Sequence, residues 1–230
     1  MGLEPIRMMS SMATREVLSE LMARYGQDCG QKVVLESAGG VDVARRVQAG
    51  EAVDVVVLAS AAIDKLMADG KLQSGSRVDI ARSGIGIAVR AGAARPEIGS
   101  GDAVMKAVLA ARTLGYSTGP SGDYLARLFV RWGIADQVAD RIVQAPPGIA
   151  VASLVARGEV ELGFQQLSEL MHVPGIEILG ALPDEIQYIT VFCGGVSAGS
   201  TQPAPARALL AFLSASAAAV TKRAHGMEPA

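Results

Sequence analysis

Apolar positions along this chain alternate between two spacings. Short continuous runs mark buried strands, and one-sided i, i+3, i+4 patterns mark helices. Pro5–Met9 predicts a strand. After Ser10-Ser11-Met12-Ala13-Thr14 a helix runs to about Tyr25, with Val17, Leu18, Leu21 and Met22 on one face. Lys32–Glu36 predicts a second strand, Val41–Ala49 a helix stopped at Gly50, Asp54–Leu58 a third strand and Ala61–Ala68 a helix stopped at Gly70. A polar connector follows. The same alternation then resumes. Ile85–Arg90, Leu114–Ser117, Arg141–Gln144 and Leu162–Gln165 read as strands. Ala103–Arg112 (capped by Asp102), Asp123–Trp132, Ile149–Arg157 and Leu167–Met171 read as helices. Ile186–Phe192 is a long apolar strand and Ala204–Lys222 a terminal helix. Strands buried on both faces and joined by helices imply α/β architecture with parallel sheets and right-handed crossovers.

The turns after these strands share a composition. They are Ser10-Ser11, Ser37-Ala38-Gly39-Gly40, Ala59-Ser60, Ser117–Gly122, Ala145-Pro146-Pro147-Gly148 and Gln165-Gln166. All fall at carboxyl ends of strands and N-termini of helices, the edge at which open parallel sheets bind ligands. Free N–H groups and the positive end of the helix dipole favour anions there. The competing reading of any one turn is plain helix capping, since serine is a leading N-cap.

Composition narrows the chemistry. The 230 residues are 50% hydrophobic and 4% aromatic, which excludes disorder. The 21 basic residues are balanced by 23 acidic ones, a net charge of −2, so no nucleic-acid partner is expected. Cys29 and Cys193 read as two free thiols, although one disulfide is compatible with the sequence. His172 and His225 lie far apart with no metal spacing, so no metal or cofactor is expected. No phosphate-binding P-loop follows a glycine turn, and Gly84-Ile85-Gly86 continues as a strand. Ser121 has no credible histidine partner for nucleophilic catalysis. No membrane insertion is expected, because Val53–Leu58 is short and contains Asp54, and the alanine-rich Pro205–Val220 carries Arg207. The N-terminal residues show no signal-peptide pattern. The expected location is periplasmic for a processed chain and otherwise cytoplasmic.

A resemblance then becomes specific. The segments LESAGGVDVARRVQAGEAVDVVVLAS, DKLMADGKL, YSTGPSGDYLARLFVRWGI, LVARGEVELGFQQLSE and ITVFCGGVSAG occur in order. In that order they resemble the periplasmic molybdate-binding proteins, type II solute-binding proteins of ABC transporters. The resemblance implies two α/β lobes joined by crossovers at about Ser83–Arg90 and Gln187–Val196, with a small anion held in a cleft between them. Lobe I would comprise residues 1–83 plus 190–230, and lobe II residues 84–189. An ABC transporter permease is the implied partner.

The ligand set carried over departs from that family. Its serines fall on Ala13 and Gly40, a second-lobe donor on Ser121 and a tyrosine on Gln165. Arg15 and Arg82 add guanidinium groups, which match planar carboxylates. The expected ligand-binding set is therefore Ser10, Ser11, Ala13, Arg15, Gly39, Gly40, Ser60, Arg82, Ser117, Ser121, Gly148 and Gln165. Two function classes follow. One is a binding protein for a small anion, with an organic polycarboxylate favoured over molybdate. The other is an enzyme resembling aconitate isomerase, which shifts a proton across a tricarboxylate double bond. For the enzyme, Glu36 is the nearest candidate base, provided that its side chain points into the cleft. A ligand-sensing module is a third reading, with no DNA-binding helix-turn-helix left over to serve it.

Overall fold

The computed structural model describes residues 4–146 and 148–230. Pro147, inside one expected turn, and residues 1–3 lie outside the described residues. The chain divides into two compact units, one formed by the segment up to Ser83 and from Thr190 onward, the other by Gly84–Ile189.

In the first unit β1 (Ile6–Ser11) leads through a short 3-10 turn into α1 (Arg15–Cys29). Then come β2 (Val33–Ala38), α2 (Gly40–Gln48), β3 (Val55–Ala59), α3 (Ser60–Ala68) and β4 (Val78–Ser83). The second unit holds β5 (Ile85–Arg90), α4 (Gly101–Ala110), β6 (Leu114–Tyr116), α5 (Pro120–Arg131), α6 (Ala135–Val138), β7 (Ile142–Gln144), α7 (Val151–Arg157), β8 (Leu162–Gln166), α8 (Leu167–Leu170) and β9 (Ile176–Ala181). The chain returns to the first unit as β10 (Thr190–Val196), α9 (Pro203–Ser214), α10 (Ala219–Ala224) and β11 (Glu228–Pro229).

The first sheet has the order β11-β4-β10-β3-β1-β2, and the second β7-β6-β8-β5-β9. β1, β2 and β3 are mutually parallel, as are β6, β7 and β8. β10 runs antiparallel to β3 and β4, and β5 antiparallel to β8 and β9, so both sheets are mixed rather than wholly parallel. The reason lies in where the chain enters. Thr190 pairs with Ser83, the last residue of β4, so β10 starts at the carboxyl edge and runs back. Ile85 likewise pairs with Gln166 at the end of β8, and Gly86 with Ala181 at the end of β9.

Alternation along β3 decides the packing of the first unit. Val55 and Val57 face a core with Val17, Leu18 and Leu21 of α1 and Leu209, Leu210 and Leu213 of α9. Val56 and Leu58 face a second core with Val43 and Val47 of α2 and Ile63 and Leu66 of α3. Each such fully buried side chain contributes roughly 1.5–3 kcal/mol. In the second unit Ile85, Ile87, Leu162 and Phe164 pack with Val104, Leu125 and Phe129, residues of α4 and α5. On the opposite face a Cβ on Gly163 would lie 2.4 Å from Val155 Cγ2, so glycine lets α7 sit close against β8. No single described helix is long and apolar enough to cross a membrane. The bent pair Pro203–Ser214 and Ser216–Ala224 passes by composition, but its leucines are core residues.

Several sequence expectations are corrected. The polar connector before Ile85 contains β4, and β9 and β11 were not expected at all. The apolar strand expected at Ile186–Phe192 starts only at Thr190, after a 3-10 turn at Asp184–Ile186. The terminal helix breaks at Ala215, whose ψ of 149° is extended, because α10 turns onto α1. There Arg24 donates to the Ala217 carbonyl, Thr221 to Glu20, and His225 Nε2 pairs with Glu20 at 2.9 Å. The α4 cap is Ser100, which accepts from Ala103 N, with Asp102 in the first turn.

Candidate functional site

In the first unit the ends of the parallel strands place hydroxyls and helix N-termini together. Ser10, Ser11 and Thr14 are buried. Ser10 and Ser37 stand in register across β1 and β2, and their Oγ atoms are 2.8 Å apart. Thr14 Oγ1 donates to the Ser11 carbonyl at 3.1 Å and lies 3.4 Å from Ser11 Oγ. Gly40, the first residue of α2, adjoins Ser11. A Cβ there would meet Ser11 Cβ at 3.7 Å, an ordinary contact, so space does not force glycine at this position.

The capping reading fails for the helices that matter. The N-caps of α2, α3 and α5 are Gly39, Ala59 and Gly119, and none is capped by a side-chain hydrogen bond. Ser60 and Ser121 are instead inside the first turns of α3 and α5. By contrast α4 is capped twice, by Ser100 and by Glu185, whose Oε1 accepts from Gly101 N at 2.7 Å. That backbone hydrogen bond holds the Glu185 carboxyl below its ordinary range. The first-turn N–H groups of α2, α3 and α5 are thus donors aimed out of the carboxyl edge, where the helix dipole favours negative charge.

In the second unit the turn between β6 and α5 is tight. Ser117 Oγ lies 3.4 Å from Ser121 Oγ and accepts from Gly119 N at 3.4 Å. Gln165 is 2% exposed and its amide is oriented at both ends. Its Oε1 accepts from Ala152 N, in the first turn of α7, at 3.2 Å, and its Nε2 donates to Glu169 Oε1 at 2.9 Å. Gly148 is exposed in the left-handed region, at φ 80°, just past Pro147.

Glu169 is the residue that the sequence reading passed over. Burial pushes its carboxyl up to about 7, against the opposing hydrogen bond from Gln165. The only sequence signal was its i, i+4 spacing from Gln165. This has a consequence for stability. An unfolded glutamate ionises near 4.5, so between pH 4.5 and about 7 the unfolded chain releases a proton that the folded chain keeps. The group's contribution is therefore highest below pH 4.5 and is lost by about pH 7. At about 1.4 kcal/mol per unit, discounted for the residue's partial exposure, this amounts to about 2 kcal/mol. Urea unfolding at pH 4.5 and pH 8 should show Glu169→Gln gaining that much over the parent as pH rises. A pH-independent difference would refute the assignment.

The other expected residues distribute as follows. Ala13 is buried beside α1 in the first-unit core. Arg15 opens α1, is exposed, and pairs with Glu16 at 3.0 Å. Arg82 is exposed on β4, opposite Val191 of β10 and Glu228 of β11. Glu36 is exposed and ion-paired with Arg46, which also holds Glu51, so its carboxylate is committed to a guanidinium at the strand end. His172 is exposed, and His225 is bound to Glu20. Cys29 and Cys193 are both free. The buried Cys193 thiol donates to Asp79 Oδ1 at 3.0 Å and is pushed up to about 12, chiefly by burial.

A profile of the bacterial extracellular solute-binding proteins matches residues 6–228. An aconitate isomerase from a Pseudomonas species is 37% identical over 232 residues, covering 97% of this chain and 87% of that protein. Among solved structures, the periplasmic molybdate-binding protein of Azotobacter vinelandii superposes with a TM-score of 0.81 at 20% identity, covering 96% of this chain and 98% of its own. The sulfate-binding protein SubI from Mycobacterium tuberculosis superposes with a TM-score of 0.78 at 17% identity, covering 99% of this chain and 87% of its own. With a family match across almost its whole length and two-sheet α/β architecture, this chain belongs to the bacterial extracellular solute-binding proteins and has their two-lobed fold.

Proposed function

We propose that this chain binds aconitate and interconverts its trans and cis forms by moving one proton across the double bond. The observation that carries this reading is the 37% identity to an aconitate isomerase over nearly the whole chain. The carboxyl edges supply the means of binding. Ser10, Ser11, Gly39, Gly40 and Ser60 in the first unit, and Ser117, Ser121 and Gly148 in the second, offer hydroxyl and backbone donors to carboxylates, while the buried Gln165 amide is taken up by Ala152 N and Glu169. Arg15 and Arg82 bring positive charge near the same edge. Each charge-assisted hydrogen bond contributes roughly 1.5–3 kcal/mol. Glycine at Gly40, beside Ser11, leaves more room for a branched tricarboxylate than a larger side chain would.

A thermal-shift panel of molybdate, sulfate, citrate and the aconitates tests the ligand, and incubation with trans-aconitate tests the reaction. Aconitate at about 100 times its Kd adds about 2.7 kcal/mol of stability. At this chain length that raises Tm by roughly 5–10 °C. Conversion of trans- to cis-aconitate is the expected result. Strong stabilisation by molybdate with none by aconitate overturns the reading.

Binding of aconitate without turnover favours the second reading, a solute-binding protein that delivers a polycarboxylate to an ABC transporter permease outside the cytoplasm. The family match and a structural neighbour described as the substrate-binding domain of a molybdenum ABC transporter support that alternative.

A further inference from the structure

We propose that Glu169 is the catalytic group that takes and returns the migrating proton, an inference that rests on the isomerase reading. A 1,3 proton shift requires one group that can accept a proton from carbon and give it back to carbon. Such a group must reach the ligand-binding edge, must not be locked to a cation, and must be turned so that an oxygen is free.

Glu169 meets each requirement. It lies on α8, which starts directly where β8 ends, so it belongs to the carboxyl edge of the second unit. Its placement is fixed through Gln165. Because Gln165 Oε1 is held by Ala152 N of α7, the amide has to present Nε2 to Glu169. One carboxyl oxygen is thereby anchored. No further hydrogen bond or ion pair to this carboxyl occurs among the described residues, which leaves Oε2 for the substrate. α8 packs on β5 through Leu167 and Leu170, which lie against Gly86 and Ala88, while Glu169 itself keeps part of its surface open. Other carboxylates near the strand ends differ. Glu36 is tied to Arg46, Asp42 to Arg45 and Asp64 to Arg77, and Asp123 is exposed to water. The elevated proton affinity of Glu169, caused by burial, agrees with this role, since it leaves both protonation states populated near neutral pH.

The step balances on substrate and glutamate alone. The Glu169 carboxylate takes a proton from the methylene carbon of trans-aconitate. That C–H bond breaks, and its electron pair spreads through the allylic frame towards the flanking carboxylates. The neutral carboxyl then returns the proton to the former vinylic carbon. A new C–H bond forms there, and the double bond now joins the central carbon to the former methylene carbon. Rotation within the delocalised intermediate sets the cis geometry, and Glu169 ends ionised as it began. The Ser, Gly and helix N–H donors stabilise the charge that develops on the carboxylates.

The test compares the parent chain with Glu169→Gln and Glu169→Asp. Turnover of trans-aconitate, exchange of its methylene protons with D2O followed by NMR, and binding by thermal shift are measured on each. The expected result is that Glu169→Gln binds trans-aconitate within threefold of the parent. It loses at least about a hundredfold in both turnover and exchange, while Glu169→Asp keeps measurable turnover. Turnover by Glu169→Gln within tenfold of the parent overturns the inference, as does loss of binding in step with loss of turnover. A parent chain that binds aconitate without converting or exchanging it overturns the isomerase reading itself.

Discussion

Gly122→Ala is expected to destabilise the protein by about 4 kcal/mol, near the upper end of what single substitutions do. Gly122 lies in the first turn of α5, folded back over the strand that precedes it. A Cβ at this position would sit 1.7 Å from the carbonyl oxygen of Ser117, 2.8 Å from its carbonyl carbon and 3.0 Å from Tyr116 Cδ2. Two of those three atoms are backbone, so no rotamer change relieves the clash. The whole turn must move, and with it the Ser117 hydroxyl that touches Ser121 and Gly119. For a chain of this length the loss corresponds to a Tm lower by about 8–16 °C. Calorimetry checks it, and a shift under 3 °C would show that the turn yields without cost. Anion affinity should fall together with stability, because the displaced residues are donors in the proposed site.

Asp54→Ala should cost about 3 kcal/mol, by a mechanism of hydrogen bonding rather than sterics. Asp54 is 6% exposed and stands just before β3. Its carboxylate accepts from Arg7 N at 2.9 Å, Ser200 Oγ at 2.6 Å and Gln202 Nε2 at 3.1 Å. One side chain thereby ties β1 to the segment that follows β10. Hydrogen bonds to a charged acceptor contribute roughly 1.5–3 kcal/mol each, and truncation also leaves three partly buried donors without this acceptor. Asp54→Asn keeps the shape and one acceptor, so its loss should be about half as large. Urea midpoints on the two variants test this ordering. Equal losses would mean that the site is held by packing and not by the carboxylate.

How far the sequence revealed the fold depended on burial. β1 and β3 were legible because nearly all their residues are buried, the edge strand β2 because of its β-branched run, and the helices between them because each buries one stripe. β4 was hidden because Val78-Asp79-Ile80-Ala81-Arg82-Ser83 mixes charge with apolar residues beside two antiparallel neighbours. β9 is an edge strand, only half-buried along its length, and its composition carries little signal. The break at Ala215 has no glycine or proline to announce it. Tertiary contacts of α10 with α1 decide it. At the candidate site the hydroxyl and glycine turns could be read from position alone. The roles of Glu36 and Glu169 could not. Both are glutamates near strand ends, and what separates them is a guanidinium against one and an amide in a buried setting against the other.

The position of β10 constrains the order in which the protein can be finished during synthesis. β10 lies between β3 and β4 in the first sheet, yet it follows the entire second unit in the chain. When β4 leaves the ribosome, the strand that should separate it from β3 does not yet exist. At 5–20 residues per second, making the intervening segment takes roughly 5–20 s. Throughout that interval two strands that end up central each present an unpaired edge, the kind of surface that recruits foreign strands. The second unit, contiguous in sequence, has all its strands available first. A nascent chain of this topology therefore depends on its closing residues to protect its opening ones.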